Sequence, residues 1–393
     1  MIDRTPPKPR IALAHEALTT IGEAEYALDR IARIAVKRYE AEELYTLYGK
    51  KAAEQLKYLS RLEVIPSSLH RLPPGMPRPS STLIPPAIDG LSSRLEASSA
   101  QRAVWLLISS SWAYIKGMDA PEGARHLCYC HGLPEELWGL EPEEVAAVDV
   151  GARTGKGRDK FRAWDKRSVV NVEAFIASSH ATARAIQQVY GRDARVIHPP
   201  ARTKLFSPDP DVKREDFYLL VGPLEARRNP ELAVEAAMLA GKRLIVAGDG
   251  PRRGAVRTHA KKTAKRLAKL GWAAGRDALV DIVGEPHEEQ LVGLYRRARA
   301  LLMPWRASFG LEAAEAQACG CPVVALRAGG ACDIVLEGRT GTFFNEPTAE
   351  AMVEAMGKCP GNVDDQCRAN AERFSEIRFD REMVKVIEEL IVR

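Results

Sequence analysis

Two glutamates, Glu312 and Glu315, lie within the segment 308–326, which reads SFGLEAAEAQACGCPVVAL. A carboxylate one turn inside a helix accepts hydrogen bonds from hydroxyl groups such as those of a sugar. The helix N-terminus beside it favours phosphate, because its first N–H groups lack partners in the helix and the helix dipole is positive there. Acidic residues in a first turn also stabilise that dipole without any ligand. The residues alone leave both interpretations open.

Turn-forming residues define the short elements around these glutamates. A strand is predicted over Ala300–Pro304, and Gly310 permits the tight turn that follows it. The pattern then predicts a helix over Leu311–Cys319, which Gly320 ends, and a further strand after Pro322. This order places the N-terminus of the helix at the carboxyl end of a strand, where parallel sheets bind ligands.

Apolar segments alternate with helical patterns along the whole chain. The segments of the first half are RIALAHE, ELYTLY, AVWLLISSS, ARHLCYCH, AFIASS and ARVIHPP, and those of the second are FYLLVG, KRLIVAGDG, ALVDIVG, ALLMP and CPVVAL. Continuous apolar strands separated by helices predict parallel sheets covered on both faces. Residues 199–215 are rich in proline and charge and have no periodicity, so we expect a linker there between two domains. A ligand cleft is then expected between the domains.

Bulk properties fit a protein of this organisation. A chain of 393 residues is long enough for two domain cores, and 46% hydrophobic with 28% charged residues is ordinary for a globular protein. The early apolar run carries His15 and Glu16, so it does not resemble the core of a secretion signal, and we expect a cytoplasmic protein. A net charge of +5 is too small to indicate nucleic acid as a partner.

Several longer motifs carry a resemblance to a known family. The motifs LIVAGDGP, EEQLVGLYRRARALLMP, FGLEAAEAQACGCPVVALRAGG and GRTGTFF resemble the second domain of family 4 retaining glycosyltransferases, which adopt the two-domain GT-B fold. In the first half, IALAHEALTTIGEAEYAL, CYCHGLPEELW and WDKRSVVNVEAFIASSHATARAIQQVYGRDARVIHPP resemble the O-antigen mannosyltransferase branch. The resemblance implies an α/β protein with two doubly wound Rossmann-like domains, whose parallel sheets face an interdomain cleft.

The resemblance also implies the domain bounds. Residues 1–203 would be an N-terminal acceptor-side domain, and residues 204–375 a C-terminal domain that binds the nucleotide-sugar. Residues 376–393 would be a C-terminal helix that packs back toward the N-terminal domain.

A function follows from the same resemblance. The chain is expected to be a retaining hexosyltransferase of cell-envelope polysaccharide synthesis, with a nucleotide-sugar donor, GDP-mannose in this branch, and a glycan or polyprenyl-linked acceptor. In the family's front-face mechanism the acceptor hydroxyl attacks from the side of the leaving group, and the diphosphate takes its proton. No cofactor, metal ion or nucleic acid is implied, and a peripheral contact with the inner face of an anionic membrane is expected.

Residue roles carry over position by position. The predicted catalytic residues are Arg228, which would neutralise the donor diphosphate, Glu315, which would hold the ribose, and His131, which would face the donor sugar. A lone histidine that ends a strand is otherwise more often structural. The predicted donor-binding residues are Gly22, Arg227, Arg228, Phe309, Gly310, Leu311, Glu315, Gly329 and Gly330.

Three positions depart from the family pattern. The glutamate that meets the donor sugar is replaced by Ala307, and an arginine that meets the diphosphate is replaced by Pro223. The Gly-Gly-Ala-Glu turn of the first domain reads GEAE from Gly22, and a carboxylate at Glu23 disfavours a nearby diphosphate if it points inward. Arg227 either replaces the missing arginine or is solvated. These departures support a second hypothesis, a GT-B protein that has lost transfer and acts as a glycan-binding or partner subunit.

A basic segment of the first half suggests a further contact. Two aromatic residues, Phe161 and Trp164, are interleaved with its cations, and this composition suits anionic headgroups or a lipid diphosphate. A solvated flexible loop fits the same composition. The cations are Arg153, Lys156, Arg158, Lys160, Arg162, Lys166 and Arg167.

Overall fold

A computed structural model describes residues 8–71, 82–139, 155–272 and 276–392. The chain divides into two compact units, the first formed by Met1–Pro200 with Ile377–Arg393 and the second by Ala201–Glu376. The last helix of the chain therefore belongs to the first unit.

The first unit contains a seven-stranded parallel sheet with the order β3-β2-β1-β4-β5-β6-β7. The chain winds outward from β1 to β3 and then crosses over to β4, so β1 and β4 flank the point where the winding reverses. Ligands of such sheets bind outside the carboxyl ends of the strands at this switch point. The strands are β1 (Arg10–Ala17), β2 (Glu43–Tyr48), β3 (Glu63–Pro66), β4 (Val104–Ser111), β5 (Arg125–Cys130), β6 (Ala174–Ala177) and β7 (Ala194–Val196).

Seven helices belong mainly to the first unit: α1 (Glu23–Arg38), α2 (Lys51–Gln55), α3 (Ile84–Gln101), α4 (Glu135–Trp138), α5 (Gly155–Ser168), α6 (His180–Tyr190) and α14 (Glu376–Val392). Helix α1 buries Leu28, Ile31 and Ala35, whose spacing of three and four residues puts them on one face. Phe379 and Met383 of α14 join the same core, so α14 covers this face of the first sheet.

The second unit contains a six-stranded parallel sheet with the order β10-β9-β8-β11-β12-β13, and its switch point lies between β8 and β11. The strands are β8 (Phe217–Val221), β9 (Arg243–Ala247), β10 (Val280–Gly284), β11 (Ala300–Met303), β12 (Val323–Leu326) and β13 (Gly341–Phe344). The helices are α7 (Pro230–Ala240), α8 (Arg253–Lys269), α9 (Glu288–Arg297), α10 (Leu311–Ala318), α11 (Ala331–Ile334), α12 (Ala349–Lys358) and α13 (Asp364–Ala371).

Helix α10 begins and ends where its glycines predict. Gly310 precedes it with φ of 101°, and Gly320 follows it with φ of 82°, a region that residues with a Cβ rarely enter. A Cβ at Gly310 would also lie 2.6 Å from Cε of Met303, the end of a flexible side chain that would have to shift. The turn between β11 and α10 therefore favours glycine chiefly for its backbone conformation.

Candidate functional site

The switch point of the second unit carries an ion pair between residues from distant parts of the chain. Nη1 of Arg228, in the loop after β8, lies 2.6 Å from Oε1 of Glu312, in the first turn of α10. Both side chains are about one-fifth exposed, at 18% and 19%. The structure thus brings the predicted diphosphate ligand Arg228 to the N-terminus of the helix that was predicted to attract phosphate.

Two further residues position this guanidinium. Its carbon lies 4.7 Å from the ring centre of Trp305, a buried residue that follows β11, which is a favourable cation–π distance. Gly222, with φ of 117°, directly follows β8, and a Cβ there would lie 2.5 Å from Nη1 of Arg228. Arg228 is therefore fixed by an aromatic face on one side and by a glycine that leaves it room on the other.

Glu315 lies one turn further along α10 and is buried, with 5% exposure. Oε1 of Glu315 accepts a hydrogen bond from Nη2 of Arg202 at 3.3 Å, and Arg202 also forms an ion pair with Glu288. Burial raises the pKa of Glu315 to about 8, because removal from water disfavours the charged form more than Arg202 favours it. A mostly protonated Glu315 at neutral pH can both donate and accept a hydrogen bond, which suits a diol.

Two glycines of the loop after β12 pack against the loop that precedes α10. A Cβ on Gly329 would lie 2.1 Å from the carbonyl oxygen of Ala307, and a Cβ on Gly330 would lie 2.3 Å from Cα of Phe309. The N–H of Gly330 donates to the same Ala307 carbonyl at 2.9 Å. Contact with the chain's own backbone therefore accounts for Gly329 and Gly330, which were predicted from the sequence to bind the donor.

The remaining predicted residues of this unit lie in the same loops. Phe309 is fully buried, with its ring centre 5.4 Å from that of Phe374, and Leu311 is buried at the start of α10. Arg227 is exposed, and its Nε donates to Oε2 of Glu225 at 2.7 Å. Arg227 and Arg228 are thus neighbours in sequence with different surroundings, since Arg228 bonds to Glu312 of α10 and Arg227 bonds to Glu225.

The switch point of the first unit holds the third predicted catalytic residue. His131 follows β5 and is 4% exposed, and its Nε2 lies 2.9 Å from Oγ of Ser110 at the end of β4. Burial, assisted by the neighbouring His15, lowers the pKa of His131 to about 3, so the ring is neutral at physiological pH. Among the residues the structure describes, Nδ1 of His131 has no hydrogen-bond partner.

His15 and Glu25 link this histidine to the turn before α1. Nδ1 of His15 lies 3.1 Å from the carbonyl oxygen of Ser110, and its Nε2 lies 3.2 Å from Oε1 of Glu25. The N–H of Gly22 donates to Oε2 of Glu25 at 2.8 Å. The N–H of Gly22, a predicted donor-binding residue, is therefore bonded to a carboxylate of the helix that follows it.

Glu16 is a buried carboxylate that sequence reasoning did not single out. Its oxygens accept hydrogen bonds from the N–H groups of Ala113, Tyr114 and Ile115 at 2.8–3.2 Å and from Oγ of Ser111 at 3.1 Å. A run of backbone N–H groups of this kind is an anion-binding arrangement, and here a side chain of the protein fills it. The sequence signal was a single acidic residue inside an apolar strand.

The basic segment forms helix α5 rather than a flexible loop, so the solvated-loop alternative is wrong for its described part. Phe161 is buried in the core of the first unit, and Trp164 stacks on it with ring centres 5.3 Å apart. Asp165, fully buried, forms an ion pair with Lys116 at 2.8 Å. The two aromatics are thus explained by packing, and Arg153 lies outside the described residues.

No helix in the described parts of the chain is both long and apolar enough to cross a bilayer.

Sequence comparison relates the second unit to known enzymes. Residues 202–371 match the family model described as Glycosyl transferases group 1. A D-inositol 3-phosphate glycosyltransferase of Acidothermus cellulolyticus is 30% identical over 212 residues, which cover 48% of this chain and 46% of that protein. The enzyme of the same name from Corynebacterium urealyticum is 27% identical over 270 residues, which cover 61% and 62%. The chain spans about half to three-fifths of the length of these two relatives.

Solved structures extend the likeness over the whole chain at the level of the fold. Anabaena Alr3699/HepE in complex with UDP has a TM-score of 0.69 at 17% identity, covering 96% of this chain and 99% of that one. Sucrose-phosphate synthase from Thermosynechococcus elongatus has a TM-score of 0.70 at 18% identity, covering 98% and 100%. With two parallel sheets of Rossmann type and these structural neighbours, the chain has the GT-B fold, and its residues 202–371 are similar to the group 1 glycosyltransferases.

Proposed function

We propose that the protein is a retaining glycosyltransferase that moves a hexose from a nucleotide-sugar to a hydroxyl group of a glycan or lipid-linked acceptor. The observation that carries the proposal is the position of Arg228, whose guanidinium lies 2.6 Å from Glu312 in the first turn of α10. A fixed cation and the positive end of a helix dipole at one place stabilise a diphosphate.

In this proposal the donor diphosphate replaces Glu312 as the partner of Arg228. The exchange is chemically matched, because a guanidinium forms the same forked hydrogen bonds with a phosphate as with a carboxylate. The pair is one-fifth exposed, so a ligand reaches it without unfolding the surrounding loops. As the glycosidic bond breaks, Arg228 and α10 then stabilise the charge that develops on the leaving diphosphate.

Glu315 would hold the nucleotide ribose. Its burial and raised pKa leave a carboxyl group that can donate to one ribose hydroxyl and accept from the other. Arg202 orients this carboxyl group from within the same unit. Arg202 is therefore a positioning residue that the family resemblance did not supply.

The proposal does not rest on a particular nucleotide base, sugar or acceptor. The Anabaena protein of the same fold was solved with UDP-glucose, and the mannosyltransferase resemblance favours GDP-mannose. The relatives named above act on D-inositol 3-phosphate, by name. A first panel would therefore pair UDP- and GDP-hexoses with D-inositol 3-phosphate and with polyprenyl-linked and free glycans.

Transfer is tested by mass spectrometry of the product, followed by NMR assignment of the new anomeric centre. We expect one donor to be used, with its anomeric configuration retained in the product. Inversion of the configuration would contradict the retaining mechanism. Absence of transfer with every pair, together with tight nucleotide binding, would instead favour the second candidate, a GT-B protein that binds donor or glycan without turnover.

Ala307 is the observation that favours this second candidate, because it removes the acid expected at the donor sugar. We predict that Ala307→Glu raises kcat/KM for the true donor by about tenfold, since one polar contact contributes about 1 to 3 kcal/mol. Ala307 is half-buried and borders Gly310 and Gly329, so Ala307→Gln is the control for added volume. An equal response to both substitutions would show that the carboxylate is not the missing group.

A further inference from the structure

Helices α1 and α14 of the first unit enclose a groove of about 570 Å³ that has a strongly uneven charge. Five cationic side chains line it, against two carboxylates; the cations are Arg33, Lys37, Arg38, Arg381 and Lys385. The groove is distinct from both switch points described above. Lys37 lies about 20 Å along α1 from Gly22, given a rise of 1.5 Å per residue.

The two carboxylates of the groove are already engaged. Asp380 accepts two hydrogen bonds from Arg30, at 3.1 and 2.5 Å, and forms an additional ion pair with Arg33. Glu388 lies 3.3 Å from Nη1 of Arg38. These carboxylates thus hold Arg33 and Arg38 and leave the other three lining cations without a carboxylate partner.

Three exposed cations remain, one on α1 and two on α14. Lys37, Arg381 and Lys385 have no carboxylate partner among the described residues. Helix dipoles account for Lys37, which lies in the last turn of α1, but not for Arg381 and Lys385, because neither lies in the last turn of α14. Like charges facing one another across a groove destabilise the fold unless an anion lies between them.

Tyr58 extends the cationic surface at the side of α1. Lys37 and Lys57 each lie 5.8 Å from the centre of its ring, and Arg61 lies 5.2 Å from it. Burial raises the pKa of Tyr58, but a hydrogen bond from Arg33 and the charges of Lys37 and Lys57 lower it by more. The positive potential of the groove therefore extends beyond its lining residues.

We propose that this groove binds a ligand with two or more neighbouring phosphate groups, held by Lys37 on one wall and by Arg381 and Lys385 on the other. The volume suits a small phosphorylated molecule, and cations on both walls suit separate phosphates better than a single one. Soluble oligophosphates and phospholipid headgroups present the same chemistry. The groove is independent of the donor site, because it uses no residue of the second unit.

The test measures tripolyphosphate binding by calorimetry at constant ionic strength, in an Arg228→Gln background that removes the proposed diphosphate ligand. The Lys37→Gln/Lys385→Gln variant is compared with Lys261→Gln/Lys262→Gln, two exposed lysines of α8 that carry the same change in net charge. We expect saturable binding that falls by about tenfold or more in the groove variant only. Thermal melts of the variants check that the exposed substitutions leave the fold intact.

A second arm uses vesicles of phosphatidylglycerol, with phosphatidylcholine vesicles as the uncharged reference. If the groove variant loses binding to phosphatidylglycerol vesicles only, the ligand is a lipid headgroup. If it loses binding to tripolyphosphate, the ligand is a soluble oligophosphate. Both results support the proposal. The proposal is overturned if the Arg228→Gln protein, whose groove is unaltered, binds neither tripolyphosphate nor phosphatidylglycerol vesicles. Binding that survives in the groove variant, or an equal loss in the α8 control, also overturns it.

Discussion

The two switch points of the molecule have the same topology but opposite electrostatics. In the first unit, Glu16 is 3% exposed, and four donors of its own chain surround it. In the second unit, Arg228 and Glu312 are about one-fifth exposed and bond to each other. The first arrangement is completed internally, whereas the second can exchange one partner for an external anion.

This difference indicates that the switch point of the first unit has a structural role and that the switch point of the second unit can bind a ligand. A buried carboxylate that accepts several backbone hydrogen bonds fixes loop geometry, and its replacement leaves orphan donors. A partly exposed ion pair contributes less stability than such a buried network, and its cation remains available to a ligand. We therefore place the proposed donor site in the second unit, and we predict that mutations at the two switch points affect different properties.

The largest expected effect is on stability, at Glu16. Glu16→Ala should lower the free energy of unfolding by about 3 to 5 kcal/mol, because it leaves three buried N–H groups and a hydroxyl without their acceptor. Urea unfolding measures the change, and Glu63→Ala on the exposed face of β3 is the control, expected to change stability by less than about 0.5 kcal/mol. A loss below 1 kcal/mol at Glu16 would mean that the loop finds other acceptors.

A substitution at Gly330 distinguishes a structural role of this glycine from a role in ligand binding. Gly330→Ala should cost about 2 to 3 kcal/mol, because the added methyl group meets the backbone of Phe309. Gly293→Ala, in α9 with open space around its Cα, should instead stabilise the protein by up to about 1 kcal/mol. If Gly330→Ala keeps wild-type stability but loses nucleotide binding, the glycine serves a ligand and not its own loop.

Glu315 should make the stability of the second unit depend on pH. Its folded pKa of about 8 exceeds the ordinary value of 4.5, so the folded state keeps a proton that the unfolded state loses between these values. Stability should therefore fall as pH rises from about 5 to about 8, and Glu315→Gln, which cannot ionise, should gain about 2 kcal/mol relative to wild type between about pH 5 and about pH 6.5. Parallel pH curves would mean that Arg202 keeps Glu315 ionised.

Local features of the fold could be predicted from the sequence more completely than long-range contacts. Gly310 and Gly320 correctly predicted α10, since a positive φ is a property of the residue itself. Strands β3 (EVIP) and β13 (GTFF) were not singled out, because the apolar run in each is only two residues long, Val64 with Ile65 and Phe343 with Phe344.

The long-range contacts of the site could not be predicted from the sequence. The pairing of Arg228 with Glu312 joins residues 84 apart, and the spacing of the two glutamates gave no sign of it. The neighbours of Gly330 were unpredictable for the same reason, since the sequence shows that room is needed but not for what. The burial of Glu16 also depended on a loop that follows a different strand.

The most direct test of the account is calorimetric binding of UDP and GDP to the wild type, Arg228→Gln and Arg227→Gln. The two variants lose the same charge at adjacent positions, but only Arg228 contacts Glu312 at the start of α10. We predict about a 10- to 100-fold weaker Kd for Arg228→Gln, which loses a charge-assisted hydrogen bond, and less than about a threefold change for Arg227→Gln. Equal effects of the two variants, or wild-type affinity in Arg228→Gln, would contradict the assignment of the donor diphosphate to this switch point.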